Sequence, residues 1–327
     1  SLTQQAVQLG YSPRVTIVHT SEREKGQIYV PEVNRALMIA CIWLVLAFKS
    51  STSLAAAYGI AVTGTMAITT ILFGVVAREQ WHWPLPKVLG LCGLFLFVDL
   101  AFFSANLVKF WEGGWFPIAV AVAIYTLMTT WKRGRIRLTR IMEENSLPMD
   151  LFLHDVTKIC AARVPGTAVF MTSHPGGAPP VLLHHVKHNK VLHEQVILMS
   201  VKTEEVPYVP EEEQIALSDL GQKFYEVVVR YGFMDSPDVP GVLRRLEAYG
   251  VTVRPMEATF YLGRETLIAR PDERTGFAVP ATKRRLPHLA MWRKRLFILM
   301  SRNAQTATAF FSLPPNRVVE MGAQIQF

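Results

Sequence analysis

"SSTSLAAAYGIAVTGTMAITTILFGVVA", residues 50–77, runs for 28 residues without a charge. At 1.5 Å per residue, a helix of that length outreaches the roughly 30 Å hydrocarbon core of a bilayer. Its middle is nevertheless crowded with Tyr58, Gly59, Thr63, Gly64 and Thr65, where leucine would serve. Two readings account for this. Small and hydroxyl residues let helices approach closely and bond across the contact, which is the reading for Ala55, Ala56, Ala57 and Ala61. Alternatively Tyr58, Thr63 and Thr65, with Gly59 baring nearby carbonyls, line a polar path in which oxygen atoms replace an ion's hydration shell. Tyr58 and Thr65 are seven residues apart and share a helix face, whereas Thr63 points elsewhere.

The neighbouring sequence repeats the apolar pattern. Runs at about 33–49, 86–108 and 113–131 join the first at 52–77, with Trp81, Trp83, Trp111, Trp115 and Trp131 at their borders. Four consecutive apolar runs with short loops and bordering tryptophans predict four membrane spans rather than buried helices of a soluble protein. Arg14, Arg23, Lys25, Arg35, Arg78, Lys87, Lys132, Arg133, Arg135, Arg137 and Arg140 fall on one side, against Lys49 and Lys109 on the other. That imbalance predicts a cytoplasmic tail. It also supplies much of the net charge of +8. Lys132, Arg133, Arg135 and Arg137 are therefore read as meeting anionic headgroups of the bilayer, and nucleic acid is not invoked.

Asp99, in "FLFVDLAFF", places a carboxyl group in the third span. Such a group faces a bundle interior or water, serving ions and protons, or bonds to a neighbouring helix. Cys41, Cys92 and Cys160 show no disulfide or metal spacing and read as small hydrophobes. No nucleophile elbow, catalytic triad or cofactor fingerprint occurs, so no enzyme activity and no cofactor are expected.

The tail alternates strand-like and helix-like stretches. "GTAVFMTS", "QVILMSV" and "YEVVVRYGF" read as strands, "VPGVLRRLEAYG" as a helix stopped by Gly250, and "ATFYLGRETLIA" as two short strands meeting near Gly263. The alternation predicts an α/β layer domain over 151–327. Residues 132–150 are expected to be a basic juxtamembrane connector, amphipathic over 134–146. His184, His185, His188 and His193 crowd ten residues; the 184–188 spacing suits two imidazoles on one helix face for a metal, but solvated histidines explain it more simply and no metal is expected. "HPGGAPP" lacks the order of a phosphate-binding loop and reads as a turn. The helix carrying Arg293, Lys294 and Arg295, with Trp292, Leu296, Phe297 and Leu299, either lies on the membrane surface or packs against protein.

"SLTQQAVQLGYSPRVTIVHTSEREKGQIYVPEVN", "SLAAAYGIAVTGTM", "DLAFFSANL", "EGGWFPIAVA" and "MTTWKRGR", followed by "RVPGTAVFMTS", "HHVKHNKVLHEQVI" and "LPPNRVVEMGAQIQF", resemble the successive signatures of the potassium uptake permease (Kup) family of bacterial potassium/proton symporters. The resemblance implies an amino-acid/polyamine-permease-like fold of which this chain holds the last four transmembrane helices, then a cytoplasmic α/β domain. Residues 1–30 would be a cytoplasmic loop after an upstream span, since "SLTQQAVQLGYSP" carries neither an initiator Met nor a signal peptide. It further implies proton-coupled potassium uptake across the bacterial cytoplasmic membrane, with potassium and protons as partners, a homodimer, and a cyclic dinucleotide on the tail. The alternative is a membrane-anchored regulatory or nucleotide-sensing module. By the resemblance, Tyr58 is the first candidate to line or gate the pathway, with Thr63 and Thr65 behind it, and Asp99 falls on a peripheral span where it fastens a helix or a dimer contact.

Overall fold

The structure, a computed structural model, describes residues 2–19, 28–144, 147–160, 162–173, 175–270 and 289–327. Arg23 and Lys25, counted above for orientation, lie outside the described residues. The chain divides into two units, one of residues 31–126 and one joining residues 1–30 to 127–327.

In the first of these units α2 (Pro31–Phe48), α3 (Ser51–Glu79) and α4 (Leu85–Leu107) are followed by a π-helical turn at Phe110–Gly114 and the start of α5 (Trp115–Glu144). Ser50 caps α3 by accepting from the Ser53 amide, satisfying one of the donors a helix start leaves open. All four helices are long and apolar enough to cross a membrane. Their outward faces carry Leu37, Ile39, Leu46, Ile68, Leu72, Leu89, Phe97, Val122 and Ile124, all exposed. A surface this greasy is stable only in lipid or against other apolar helices.

α3 and α4 pack where their side chains are small. A Cβ on Gly59 would stand 2.4 Å from Asn106 Oδ1, and one on Gly74 would stand 3.2 Å from Cys92 Sγ. The turn before α5 slots under α3 for the same reason: a Cβ on Gly114 would stand 2.1 Å from Ile60 Cδ1.

The second unit is built on a six-stranded sheet. Its strands are β4 (Ala162–Thr172), β6 (Val191–Glu204), β7 (Ile215–Gly221), β8 (Phe224–Gly232), β9 (Thr259–Ile268) and β10 (Val318–Gln326), in the order β10-β9-β4-β6-β8-β7. All neighbours run parallel except the edge strand β7. Phe170 pairs with Leu198 on one side and Tyr261 on the other. Side chains alternate between two cores. Ala168, Phe170, Val196, Leu198 and Tyr261 meet α6 (Met149–Ile159) and α7 (Pro180–Asn189). Val169, Ile197, Met199, Phe260 and Leu262 meet α8 (Val239–Arg245) and the segment around Phe311 and Leu313. Both faces are covered, which is why these strands read as unbroken apolar runs. Two short ladders complete the set, β1 (Val18–His19) with β2 (Ile28–Tyr29) and β3 (Leu147–Pro148) with β5 (Gly177–Ala178).

The structure corrects several expectations. The basic run past Trp131 continues α5 without a break to Glu144; Lys, Arg, Glu and Met are good helix formers and only Gly134 interrupts them. Trp131 is not at a lipid interface: it is 7 % exposed and lies 5.1 Å from Phe297 of α9 (Met291–Arg302). Arg137 is likewise buried, its guanidinium 5.5 Å from the Phe327 ring, so it does not present itself to headgroups. Lys132 turns its ammonium onto the ring of Tyr11 at 3.7 Å, while Arg133 stays exposed and Arg135 faces a cleft of the sheet unit. "ATFYLGRETLIA" forms one strand, not two, since Gly263 continues the parallel ladder opposite Met321. In α9 the basic face is split: Lys294 is buried and its Nζ donates to the carbonyl oxygens of Arg270 (2.7 Å) and Phe327 (3.3 Å). This helix packs on protein through Lys294, Phe297 and Ile298, leaving Trp292 and Leu299 exposed.

Candidate functional site

α3 sorts its polar residues onto opposite faces. Tyr58 and Thr65 are exposed, Tyr58 at 72 %, on the side away from α4. Thr63 is buried, and its hydroxyl donates to its own helix at the Gly59 carbonyl, 2.7 Å away. Thr65 does the same to Ala61 at 2.8 Å. Gly59 sits against Asn106, so its lack of a side chain serves the helix contact. Tyr58, Gly59, Thr63 and Thr65 are thus not gathered at one point within this unit.

Asp99 is buried, and its Oδ2 accepts a hydrogen bond of 2.6 Å from Thr70 Oγ1 on α3. Thr70 was not among the expected residues. The signal that could have found it is the requirement that an intramembrane acid have a partner on a facing helix, but spacing alone offers Thr63, Thr65, Thr69 and Thr70 equally. Ser104 bonds back to Leu100, and Asn106 to Phe102.

The sheet unit holds a second candidate. β4 connects through α7 to β6 on one side, whereas β9 is followed in the sheet by β10 on the other. Connections leaving in opposite directions open a crevice at the carboxyl ends of the two strands, the usual place for ligands in an open α/β sheet. There the structure has an open cleft of about 1000 Å³. Thr172 and Ser173 end β4 in it, Glu265 and Arg264 project from β9, and Arg14, Arg135 and His184 reach it from the N-terminal segment, α5 and α7. Burial, then the charge of Arg135, push the Arg14 guanidinium down to about 10. Burial raises the Glu265 carboxyl, with Arg135 and Arg14 pulling it back.

The four histidines separate. The rings of His184 and His188 are 6.1 Å apart on α7. His185 turns inward to Tyr261, 4.7 Å away, and lies 6.4 Å from His193 of β6. No group of three or more metal-ligating side chains forms among the described residues. His185 Nδ1 lies 3.0 Å from the Asn189 amide nitrogen, while His185 Nε2 and His193 Nδ1 are buried without a hydrogen-bond partner among the described residues. The Arg163 guanidinium donates to the His193 and Glu194 carbonyls.

Burial, then the neighbouring His193, lower the pKa of His185; burial alone lowers that of His193. Both resist protonation when folded but accept it near the ordinary value of about 6.5 when unfolded. The unfolded state therefore binds more protons below that value, and stability falls as pH drops through it toward the depressed folded values. Thermal unfolding of the full chain should show a midpoint that declines between about pH 7 and pH 5, and His185→Leu should flatten the decline. Equal slopes for wild type and variant would remove the pair from the explanation.

Four apolar helices carrying an interhelical acid–hydroxyl pair, followed by a doubly covered sheet with an open cleft, define a multi-span membrane protein with an α/β domain. Family models agree with that division. The "K+ potassium transporter integral membrane domain" matches residues 1–136, and the "K+ potassium transporter C-terminal domain" matches residues 165–327. The chain belongs to the Kup family of potassium uptake permeases. A "Probable potassium transport system protein Kup" of Anaeromyxobacter sp. is 59 % identical over all of this chain and 48 % of its own length. The Myxococcus xanthus protein of the same name is 52 % identical over all of the chain and 48 % of its own length, and a "Kup 2" of Chromobacterium violaceum is 50 % identical over all of the chain and 50 % of its own. The chain spans about half the length of the curated relatives it matches.

Proposed function

We propose that this chain forms part of a transporter that takes potassium into the cell by symport with protons. In this reading residues 31–131 are its last four spans, in a permease-like fold with broken helices elsewhere binding the ion near the midplane. Residues 1–30 and 132–327 lie on the cytoplasmic side of a bacterial inner membrane, 132–150 leading into the domain at 151–327, and the protein pairs as a homodimer. The observation that carries the reading is identity of 59 % to a potassium transport system protein along the entire chain, joined to four membrane-length helices.

Within it, Tyr58 and Thr65 are the pathway candidates, supported by their position on the free face of α3. Thr63 and Gly59 serve packing, as the Thr63 bond within α3 and the close approach of Asn106 to Gly59 suggest. The test is rubidium uptake by potassium-starved cells lacking their own uptake systems and expressing the full-length gene product. Uptake should appear with the protein and dissipate when the proton gradient is collapsed. Tyr58→Phe should lower it about tenfold or more, the worth of one oxygen contact to a charged group, while Thr63→Val leaves it near wild type. No uptake above the empty vector sinks the proposal.

A regulatory reading of the sheet domain is favoured by the cleft. Arg14, Arg135, Arg264 and Arg302 surround it, a lining suited to phosphate oxygens, and we take a cyclic dinucleotide as its ligand class. Uptake measured with that ligand on the cytoplasmic side should differ from uptake without it.

A further inference from the structure

The six-stranded sheet ends differently on its two sides. β7, the edge beyond β8, is guarded: its register breaks between Asp219 and Gly221, and the chain turns back at once through Gln222 and Lys223, both at positive φ. Bulges, charges and shortness are the usual means by which an edge strand is kept from pairing with another chain. β10 lacks these guards. It keeps one register with β9 from Val318 to Gln326, contains no proline or lysine, and carries Glu320 as its one charge. Its far side has no strand beside it among the described residues.

The bonds at the end of β10 show which groups that far side offers. The Phe327 amide donates to the Ile268 carbonyl at 2.9 Å, and the Phe327 carbonyl accepts from the Arg270 amide at 3.0 Å. Phe327 therefore turns both groups toward β9. Direction alternates along a strand, so Val318, Glu320, Gly322, Gln324 and Gln326 turn theirs outward. Such a row of groups is a template for a further strand. Beside it Val319 is 42 % exposed. Gly322 has no reason within the fold, since its φ is not positive and a Cβ there would meet nothing within 4 Å. Glycine inside a strand often marks the close approach of another backbone.

We propose that the outer edge of β10 is the surface on which a second copy of this chain pairs, antiparallel about a two-fold axis at Gly322, so that one sheet runs through both copies. The strand's own sequence selects this occupant, because a two-fold interface sets a surface against itself. Reading VVEMGAQIQ against its reverse about Gly322 places Val318 opposite the partner's Gln326, Val319 opposite the partner's Ile325, Glu320 opposite the partner's Gln324 and Met321 opposite the partner's Ala323. Apolar meets apolar at two of these pairs, the carboxylate meets an amide that can donate to it, and no like charges face each other, as favourable cross-strand pairing requires. Within each copy Arg264 pairs with Glu320 at 3.5 Å, which tempers the charge brought to the contact. All the outward residues fall in the bonded positions of this register. Moving the axis to Met321 or Ala323 leaves Gln326 or Val318 without a partner in the strand. The inference gives the homodimer proposed above its contact surface and rests on that reading, but on nothing in the transport reading.

The mass of the full chain in detergent micelles, measured by light scattering over a dilution series, tests it. Gly322→Pro removes an outward N–H and obstructs the approach of a partner, while the ladder to β9 keeps its donors. The wild type should be a dimer and Gly322→Pro a monomer with unchanged circular dichroism. Gln324→Glu sets carboxylates opposite each other twice across the axis, and Gln324→Lys sets opposite charges there. The first should raise the dimer dissociation constant about two- to thirtyfold, as two repulsive cross-strand pairs would, and the second should not raise it; the two carry the test if the proline variant misfolds. A wild-type dimer that survives both Gly322→Pro and Gln324→Glu overturns this surface and leaves the homodimer reading standing. Equal weakening by the two Gln324 variants overturns the register about Gly322. A monomeric wild type strikes the surface and the homodimer reading together.

Discussion

Thr70→Val is expected to destabilise the membrane helices more than Asp99→Leu does, although valine is the milder change. The hydroxyl of Thr70 donates to Asp99 Oδ2 at 2.6 Å. Hydrogen bonds between helices in lipid contribute only about 0.6 kcal/mol on average, because the separated helices also find partners. The bond itself therefore decides little, and what decides is the group left behind. Thr63, Thr65 and Thr69 of the same helix each donate to the carbonyl four residues back at 2.7–2.8 Å. With leucine at 99, Thr70 can do likewise toward Met66. With valine at 70, Asp99 keeps no hydrogen-bond partner among the described residues and stays buried at 5 % exposure. An unsatisfied buried acceptor costs about 1–3 kcal/mol, and more if charged. The double variant Thr70→Val, Asp99→Leu should then be more stable than Thr70→Val alone. Thermal stability in detergent of the three variants checks the ranking. A double variant no better than the single one would mean that Asp99 does not depend on Thr70. If Asp99→Leu instead proved as stable as wild type yet abolished uptake in the full-length protein, the acid would belong to proton handling rather than to fastening.

The parts of this molecule that sequence disclosed are those set by local chemistry. Uncharged runs of membrane length disclosed four apolar helices, and alternating strand and helix stretches disclosed a sheet domain, because hydropathy and periodicity act within a dozen residues. What stayed hidden depends on partners far away in the chain. Trp131 has the surroundings of an interfacial aromatic, and nothing nearby says that Phe297 will cover it. Lys294 sits in "WRKRLF", which reads as a basic surface, but two carbonyls from residues 270 and 327 make its burial tolerable. Asp99 was conspicuous as a candidate, whereas Thr70 was one hydroxyl among several. The docking of α1 (Leu2–Gln8) on the sheet unit has no local signature at all, since the Gln4 and Gln8 side chains that donate to the Met234 and Asp235 carbonyls would bond equally well to water.

Gly134→Ala should loosen the hold of α9 on α5, against the ordinary rule for helices. Alanine in place of glycine inside a helix stabilises by about 1 kcal/mol. Here its Cβ would lie 2.3 Å from Phe297 Cδ2 and 2.6 Å from both Cε2 and Cγ. The ring has little room to retreat: it is fully buried, stacked on Phe327 at 4.9 Å and held by Trp131 at 5.1 Å. Overfilling a packed core costs about 1–3 kcal/mol and sometimes more, and the locked ring puts this site at the upper end. The clash therefore outweighs the propensity gain, leaving a net loss near 2 kcal/mol. Thermal unfolding of the full chain should show it as a lowered midpoint. Phe297→Leu removes the ring atoms in the way, so combining it with Gly134→Ala should lose less than the two single losses added, as coupled neighbours do. Strict additivity would mean that α5 and α9 separate easily in solution, and the burial of Trp131 and Lys294 would then have to rest on the C-terminal strand alone.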